Sequence, residues 1–206
     1  IVTAPTSFGR RHIAPHLAAF IAEHPNLAIT LHLSERMVDL KNERFDIAIR
    51  IADLKSADLI AAKLARNHRV VCGSPAYFKR AGKPRALADL AQHNCLVTST
   101  EDGVADSWSF QDKGKPAQLK VAGNLQCNDG EVLTRWAISG EGVAWRSAWE
   151  VSEEVKRGRL VTVLDEFAFP GNNIYAVYPE RRLLPAKVKF FIEFLKKTFG
   201  DPPYWE

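Results

Sequence analysis

The chain has 206 residues, of which 46% are apolar, 25% are charged and 10% are aromatic. This composition is that of a globular protein and excludes disordered, collagenous and low-complexity fibrous chains. The apolar runs are far shorter than the roughly 20 residues of a membrane-spanning helix, and the net charge of +4 is spread along the chain, which gives no positive case for nucleic-acid binding.

The first third of the chain predicts strands that alternate with helices. A strand at 1–4 precedes a helix whose apolar residues recur at helical spacing, namely Ile13, Leu17, Phe20 and Ile21. Residues 27–33 alternate between apolar and polar side chains, which predicts a strand. A short helix is predicted at 38–43, and strands are predicted at 46–50, 59–64 and 69–72. This alternation is typical of an α/β sheet.

A change of pattern at Gly73 indicates a second unit, because Ser74-Pro75 and Gly82-Lys83-Pro84 separate short helices there. The strands predicted beyond it are 95–97, 108–110, 117–122, 142–145, 160–164 and 174–178. The helices predicted are 130–139, 149–157 and 185–199. Strands 108–110 and 117–122 are expected to pair around the loop 112–115, and Gly140 is expected to end the helix before it.

Several short strings, taken in order, carry a family resemblance. They include Thr3-Ala4-Pro5-Thr6-Ser7-Phe8-Gly9, Phe45-Asp46-Ile47-Ala48-Ile49-Arg50, Val70-Val71-Cys72-Gly73-Ser74-Pro75-Ala76-Tyr77, Gly140-Glu141-Gly142-Val143-Ala144 and Tyr175-Ala176-Val177-Tyr178-Pro179. Their order and spacing resemble the effector-binding domain of LysR-type transcriptional regulators. The resemblance implies a periplasmic-binding-protein-like fold of type 2, in which two Rossmann-like α/β subdomains are joined by two crossing strands. It also implies a small effector in the cleft between them.

The same resemblance implies a division of the chain and a set of partners. Residues 1–71 and 174–206 would form subdomain I, and residues 72–173 would form subdomain II. A winged helix-turn-helix domain, absent from this chain, would precede residue 1 and make the only contact with DNA. We expect a homodimer in which the helix 13–21 and the strand 27–33 of one chain lie near the helix 131–138 of a second; the full-length protein is compatible with a tetramer.

Candidate effector contacts of the first subdomain lie where strands end. Thr6, Ser7 and Phe8 lie between a strand and a helix, where backbone N–H groups and hydroxyls favour an anion. The alternative is a plain helix cap, a role that serine and threonine often take. Arg50 ends a strand at the edge where open α/β sheets bind ligands, and its alternative is an ion pair with Asp46, Asp53 or Glu35.

Candidates in the second subdomain are Thr98, Ser99, Asn128, Trp145 and Arg146. The first two end a strand and have an ordinary polar turn as their alternative, whereas Asn128 precedes a helix and has a cap as its alternative. Arg146 departs from the family pattern, in which an apolar residue and proline are more common, and its alternative is a surface arginine. Phe8 and Trp145 are expected to flank a planar ligand. Together these residues predict a small anionic effector, most simply a carboxylate.

Two other functions compete with a regulator's sensor domain. A solute-binding protein of a transporter shares the implied fold, but three unpaired cysteines, Cys72, Cys95 and Cys127, favour a reducing, cytoplasmic compartment. An enzyme requires a catalytic constellation, yet the chain lacks a Gly-x-Ser-x-Gly motif and its histidines lack the spacing of a zinc site. We therefore expect no catalysis, no metal and no cofactor.

Overall fold

The computed structural model describes residues 1–36, 40, 44–52, 59–100, 103–179 and 184–206, and the chain divides into two units. Unit 1 comprises Ile1–Arg66 and Gly171–Tyr204, and unit 2 comprises Asn67–Pro170 and Trp205–Glu206. The chain passes from unit 1 to unit 2 after Arg66 and returns after Pro170. The subdomain bounds implied by the resemblance, 1–71 with 174–206 and 72–173, stay a prediction.

In the described residues, helices separate runs of one to five strands. The strands are β1 (Val2–Ala4), β2 (Leu31–Leu33), β3 (Ile47–Ile51), β4 (Leu59–Ala65), β5 (Arg69–Gly73), β6 (Cys95–Thr100), β7 (Gly103–Ala105), β8 (Ser107–Asp112), β9 (Lys115–Lys120), β10 (Gln126–Cys127), β11 (Val143–Ser147), β12 (Val161–Val163) and β13 (Ile174–Pro179). The α-helices are α1 (Thr6–Phe8), α2 (Leu17–Glu23), α3 (Pro75–Ala81), α4 (Gly130–Ser139), α5 (Ala148–Lys156) and α6 (Ala186–Phe199). Short 3-10 helices span Leu87–Gln92 and Asp165–Phe167.

Unit 1 is built on a five-stranded sheet with the order β2-β1-β3-β13-β4. β1 pairs in parallel with both β2 and β3, whereas β13 runs antiparallel to β3 and β4. The carboxyl ends of β1, β2 and β3 therefore share one edge of the sheet. The apolar face predicted for α6 is buried in this unit, and its members are Val188, Phe191, Ile192, Leu195 and Phe199.

The first helical segment is longer and less regular than its apolar pattern predicts. Between α1 and α2 lie a π-helical turn, Gly9–Ile13, and a 3-10 turn, Ala14–His16. Pro15 sits in the second of these turns, where it offers no N–H to the preceding turn and its ring crowds the carbonyl there. A continuous α-helical ladder cannot cross this position, so the chain changes its pitch.

The predicted strand 27–33 is wrong in length, because only β2 forms. Leu27 donates its N–H to the His24 carbonyl at 2.9 Å, which closes a turn around Pro25 and Asn26. Proline and asparagine favour such turns, so the turn uses up the first residues of the alternating run. The predicted helix 38–43 lies outside the described residues, apart from Leu40.

Unit 2 is built on a sheet with the order β10-β6-β11-β5-β12, to which β7 adds by pairing with β6. The strands β10, β6 and β11 are parallel, and β5 runs antiparallel to β11 and β12. Alternate side chains of these strands enter two apolar clusters. One cluster contains Val71, Val97 and Val143 with the buried ring of Trp108. The other lies under α4 and α5 and contains Val70, Cys72, Leu96 and Ala144.

The predicted antiparallel pair of unit 2 is confirmed as the hairpin of β8 and β9. Its two turn residues, Lys113 (φ 48°) and Gly114 (φ 78°), both have left-handed backbone, as a type I′ turn requires. Gly140 (φ 85°) ends α4 as predicted. Among the helices in the described ranges, none is long and apolar enough to cross a membrane.

Candidate functional site

Thr6 and Ser7 lie directly after β1, at the sheet edge where an anion is expected. Pro5, and not Ser7, takes the N-cap position of α1, and the Pro5 side chain makes no cap hydrogen bond. The N–H of Thr6 instead donates to the Glu35 carboxylate at 2.8 Å. A carboxylate of the protein itself therefore already binds at the start of this helical turn.

Phe8 is a core residue, which corrects its predicted role beside a ligand. Its side chain has no exposed surface, and its ring stacks on His12 at 5.0 Å and meets Phe199 edge-on at 5.9 Å between centroids. Phe8 points into the core because it lies on the buried side of the first helical turn. Its ring is not available to flank a bound molecule.

Arg50 lies near the end of β3, at the same edge as Thr6. Its side chain is buried, and its Nη1 donates to the carbonyl of Ile49 at 3.2 Å. Of the ion-pair partners considered for it, Asp46 binds Lys187 at 2.8 Å and Glu35 accepts from Thr6. Asp53 lies outside the described residues.

In unit 2 the structure brings Thr98, Asn128 and Arg146 to one edge of the sheet. Thr98 pairs with Cys127, the last residue of β10, so that Asn128 follows at the same level. Leu96 pairs with Ala144, and two residues further along these parallel strands place Thr98 level with Arg146. Ser99 belongs to the same strand end, but successive side chains of a strand point to opposite faces. Its hydroxyl therefore faces away from the side that carries Thr98.

Arg146 is buried, so its alternative interpretation as a surface arginine is wrong. Its Nη2 binds Oε1 of Glu150 at 2.6 Å, and the two side chains are only 10% and 4% exposed. Both groups press against Gly130, the first residue of α4, where an added Cβ would lie 1.9 Å from Nη2. Only glycine allows this approach, and the ion pair therefore sits directly at the N-terminus of α4.

The N-cap of α4 is Asp129, not Asn128. The Asp129 carboxylate accepts the N–H groups of Glu131 and Val132 at 2.7 and 3.3 Å. Asn128 is exposed, so the cap that was its alternative role is taken by its neighbour.

Trp145 lies against Arg69, a residue that no motif in the sequence singled out. The Arg69 guanidinium lies 4.4 Å from the centre of the Trp145 ring, and Trp108 stacks near the same ring at 6.1 Å. Burial, followed by the charge of Arg146, lowers the pKa of Arg69 to about 10, so Arg69 is cationic at neutral pH. Arg69 reaches this edge because it pairs with Ser147 on β11, a register that no local motif reveals.

The three cysteines are free thiols in the structure. Burial raises the pKa of Cys72 and of Cys95 to about 12, which keeps both protonated and unreactive at neutral pH. Cys127 is half-buried beside the start of α4, and its sulfur accepts the N–H of Asp129 at 3.4 Å.

Comparison with known proteins assigns the chain to a family, because residues 1–200 match the model of the LysR substrate binding domain. The chain belongs to the LysR substrate-binding domain family. It is 41% identical over 194 residues to the HTH-type transcriptional regulator DmlR of Escherichia coli K12, covering 94% of this chain and 63% of that protein. It is 36% identical over 199 residues to the HTH-type transcriptional activator TtdR of Escherichia coli UTI89, covering 95% and 64%.

Solved structures of LysR-type regulators share the fold. The regulatory domain of CrgA from Neisseria meningitidis aligns with a TM-score of 0.81 at 27% identity, covering 97% of both chains. Full-length AphB of Vibrio cholerae aligns with a TM-score of 0.79 at 25% identity, covering 95% of this chain and 66% of that one.

These relationships confirm the predicted family and its periplasmic-binding-protein-like fold of type 2. The LysR substrate-binding domain described here spans 63% and 64% of the length of DmlR and TtdR. Both relatives are transcriptional regulators, so the transporter alternative gains no support from them.

Proposed function

We propose that this LysR substrate-binding domain is the effector-sensing part of a cytoplasmic, DNA-binding transcriptional regulator. It binds a small acidic metabolite, most simply a carboxylate, and catalyses no reaction. A winged helix-turn-helix domain elsewhere in the regulator binds DNA. The effector binds some conformations of the protein more tightly than others. The difference between these affinities sets the largest shift that it can produce in the populations of the conformations.

The observation that carries this proposal is the convergence of polar groups at the carboxyl edge of parallel strands in each unit. In unit 2 these groups are Thr98, Asn128 and Arg146, with Ser99 and Trp145 beside them, and in unit 1 they are Thr6, Ser7 and Arg50. Open α/β folds bind ligands outside the carboxyl ends of their strands. Phe8 has no part in the site because it is buried.

The charges of unit 2 favour an anionic effector. Arg69 and Arg146 supply two positive charges at this edge, and Glu150 supplies one negative charge opposite Arg146. The nearby Asp129 carboxylate is engaged by the N–H groups of Glu131 and Val132. A positive charge that is withdrawn from water and incompletely balanced is costly. The carboxylate of an effector offsets that cost and gains charge-assisted hydrogen bonds.

A thermal-shift screen of small carboxylates tests the proposal, because a ligand stabilises the folded state by RT ln(1 + [L]/Kd). We expect at least one carboxylate to raise the Tm, whereas its neutral amide analogue leaves the Tm unchanged. The opposite preference, for neutral molecules, contradicts the proposal.

Calorimetry on paired variants then locates the binding carboxylate. Replacing Arg146 with Met and Glu150 with Leu together removes both members of the ion pair, so neither of them is left as a buried charge without the other. We expect this double variant to lose about 1.5–3 kcal/mol of binding free energy, as for a hydrogen bond to a charged group. The change Thr98→Val, which removes one hydroxyl, is expected to cost about 1 kcal/mol. Thr198→Val in α6 is the control, and an equal loss there would count against the site.

A further inference from the structure

A concave surface of unit 1 carries a charge that the proposed effector site does not use. It is a pocket of about 560 Å³ where the C-terminal end of α6 meets the edge strand β4. Its lining residues are Lys63, Leu64, Ala65, Arg66, Lys196, Lys197, Gly200 and Asp201. Four of these side chains are cationic and one is a carboxylate, so the pocket has a net charge of +3.

The lysines of this pocket, which we call the basic pocket, are not neutralised by the protein. Lys63, Lys196 and Lys197 are exposed, and none of them forms an ion pair with any carboxylate among the residues that the structure describes. Lysines elsewhere on α6 behave differently. Lys187 binds Asp46 at 2.8 Å, and Lys189 lies 4.0 Å from Glu193.

Structural roles account for only part of this charge. Lysines in the last turn of a helix offset the negative end of its dipole, which is equivalent to about half an elementary charge. A lysine on an edge strand also discourages pairing with another sheet. Neither role balances the charges of the three lysines, and a concave surface concentrates the field of like charges. A multiply charged anion relieves their mutual repulsion.

We propose that the basic pocket binds consecutive phosphate groups of a linear polyanion. Lysines act as point charges that suit phosphate without the two-pronged geometry of an arginine and a carboxylate. The described residues that line the pocket include no aromatic side chain, and they offer no stacking surface to a base. The recognised chemistry is therefore the phosphate chain, as found in a DNA backbone or in a free oligophosphate.

Binding of two probes to the whole 206-residue chain tests this proposal. The first probe is sodium tripolyphosphate, whose binding is measured by calorimetry. The second is a fluorescent DNA duplex of arbitrary sequence and about 20 base pairs, whose binding is measured by fluorescence anisotropy at several salt concentrations. The pocket variant combines Lys196→Gln with Lys197→Gln. The matched control combines Lys79→Gln with Lys189→Gln, which removes the same charge from exposed helix positions outside the pocket.

We expect the pocket variant to lose about tenfold in affinity for the bound probe and the control to lose little. If the source is DNA, the slope of log affinity against log salt falls in magnitude by about 2 in the pocket variant. If tripolyphosphate binds and the duplex does not, the source is a free oligophosphate. The proposal is overturned if neither probe binds, or if the control loses as much affinity as the pocket variant.

The basic pocket and the effector site are tested independently. The pocket variant should retain the thermal shift produced by a carboxylate, because none of its substitutions touches Thr98, Asn128 or Arg146. Conversely, if the protein binds tripolyphosphate or DNA but no small carboxylate, the proposed effector is contradicted and the proposed role of the basic pocket is not.

Discussion

Arg146 shows how a single residue decides between a binding role and a structural one. Its guanidinium is withdrawn from water and held by Glu150, four residues along the chain, at the first turn of α4. Removing one partner of such a buried pair leaves the other charge without compensation, whereas replacing both by apolar groups is often neutral. The energetic cost therefore depends on which partners are changed together.

We predict that Arg146→Ala lowers the free energy of unfolding by about 3–5 kcal/mol. The double replacement Arg146→Met with Glu150→Leu should lower it much less, as measured by urea denaturation. Arg135 and Glu131 form an exposed pair at the same spacing and at 2.8 Å. Arg135→Ala is the matched control, with an expected loss below about 0.5 kcal/mol. Equal losses in the single and double variants of the buried pair would refute this account.

His12 makes the stability of unit 1 depend on pH. Burial, then the charges of Arg11 and His16, lowers the pKa of His12 to about 4, and its Nδ1 lies 2.6 Å from the Tyr204 hydroxyl. An unfolded histidine titrates near pH 6.5, so between about pH 6.5 and 4 the unfolded chain binds more protons than the folded chain. The neutral ring is thus part of the folded state, and acid opposes folding.

We predict that this histidine costs roughly 3 kcal/mol of stability as the pH falls from 7 to 4. In His12→Gln the loss over that range should be smaller by this amount, because glutamine does not titrate. Urea denaturation at a series of pH values measures both proteins. Parallel curves for His12→Gln and the unmodified chain would contradict the prediction.

At the scale of elements, features set by the local spacing of residues were predicted from the sequence. Features set by the pairing register of distant strands were not. The apolar face of α6 and the glycine that ends α4 follow from residues near one another in the chain. The meeting of Arg69 with Trp145 depends on which residues of β5 and β11 are paired, and the packing of the Arg146–Glu150 pair against Gly130 depends on the approach of α4 to β11. The burial of Phe8 likewise depends on its contact with α6, about 190 residues away. Such long-range contacts leave no mark on local spacing.

The cap of α4 gives a test at this scale. Asp129→Ala removes the acceptor for two backbone N–H groups and should lower the free energy of unfolding by about 1–2 kcal/mol. Asn128→Ala changes the adjacent exposed residue and should stay within about 0.5 kcal/mol of the unmodified chain. Thermal or urea denaturation measures both. If Asn128→Ala lowered the free energy of unfolding more than Asp129→Ala, Asn128 and not Asp129 would be the N-cap of α4.

At the scale of the whole molecule, the edge strand β2 bears on self-association, which we propose for this chain as a two-fold dimer. Among the strands that the structure describes, β2 pairs with β1 alone, and the Leu33 side chain is 37% exposed. An open strand edge with exposed apolar side chains is prone to contact another chain. The proposed pairing covers it with the α4 helix of a second copy.

We predict that the chain sediments as a dimer at tens of micromolar and that Leu33→Asp shifts it to monomer, because a charge would be buried without a partner. Val104→Asp is the control, since Val104 is also exposed but lies on β7 in unit 2. A monomer for the unmodified chain, or dissociation by both substitutions, would refute the proposed interface.

The ends of the continuous segment of unit 2 are neighbours, because His68 and Pro170 form an antiparallel bridge. A segment whose two ends lie side by side is an insertion in the polypeptide, and its ends can be joined without stretching the chain between them. Residues 67–170 should therefore tolerate circular permutation, with a short glycine-rich link across the old ends and new termini at the exposed turn of Lys113 and Gly114. We expect this rearranged segment, produced alone, to unfold in one cooperative transition by circular dichroism. A gradual loss of signal on heating would show that the segment depends on the rest of the chain for its fold.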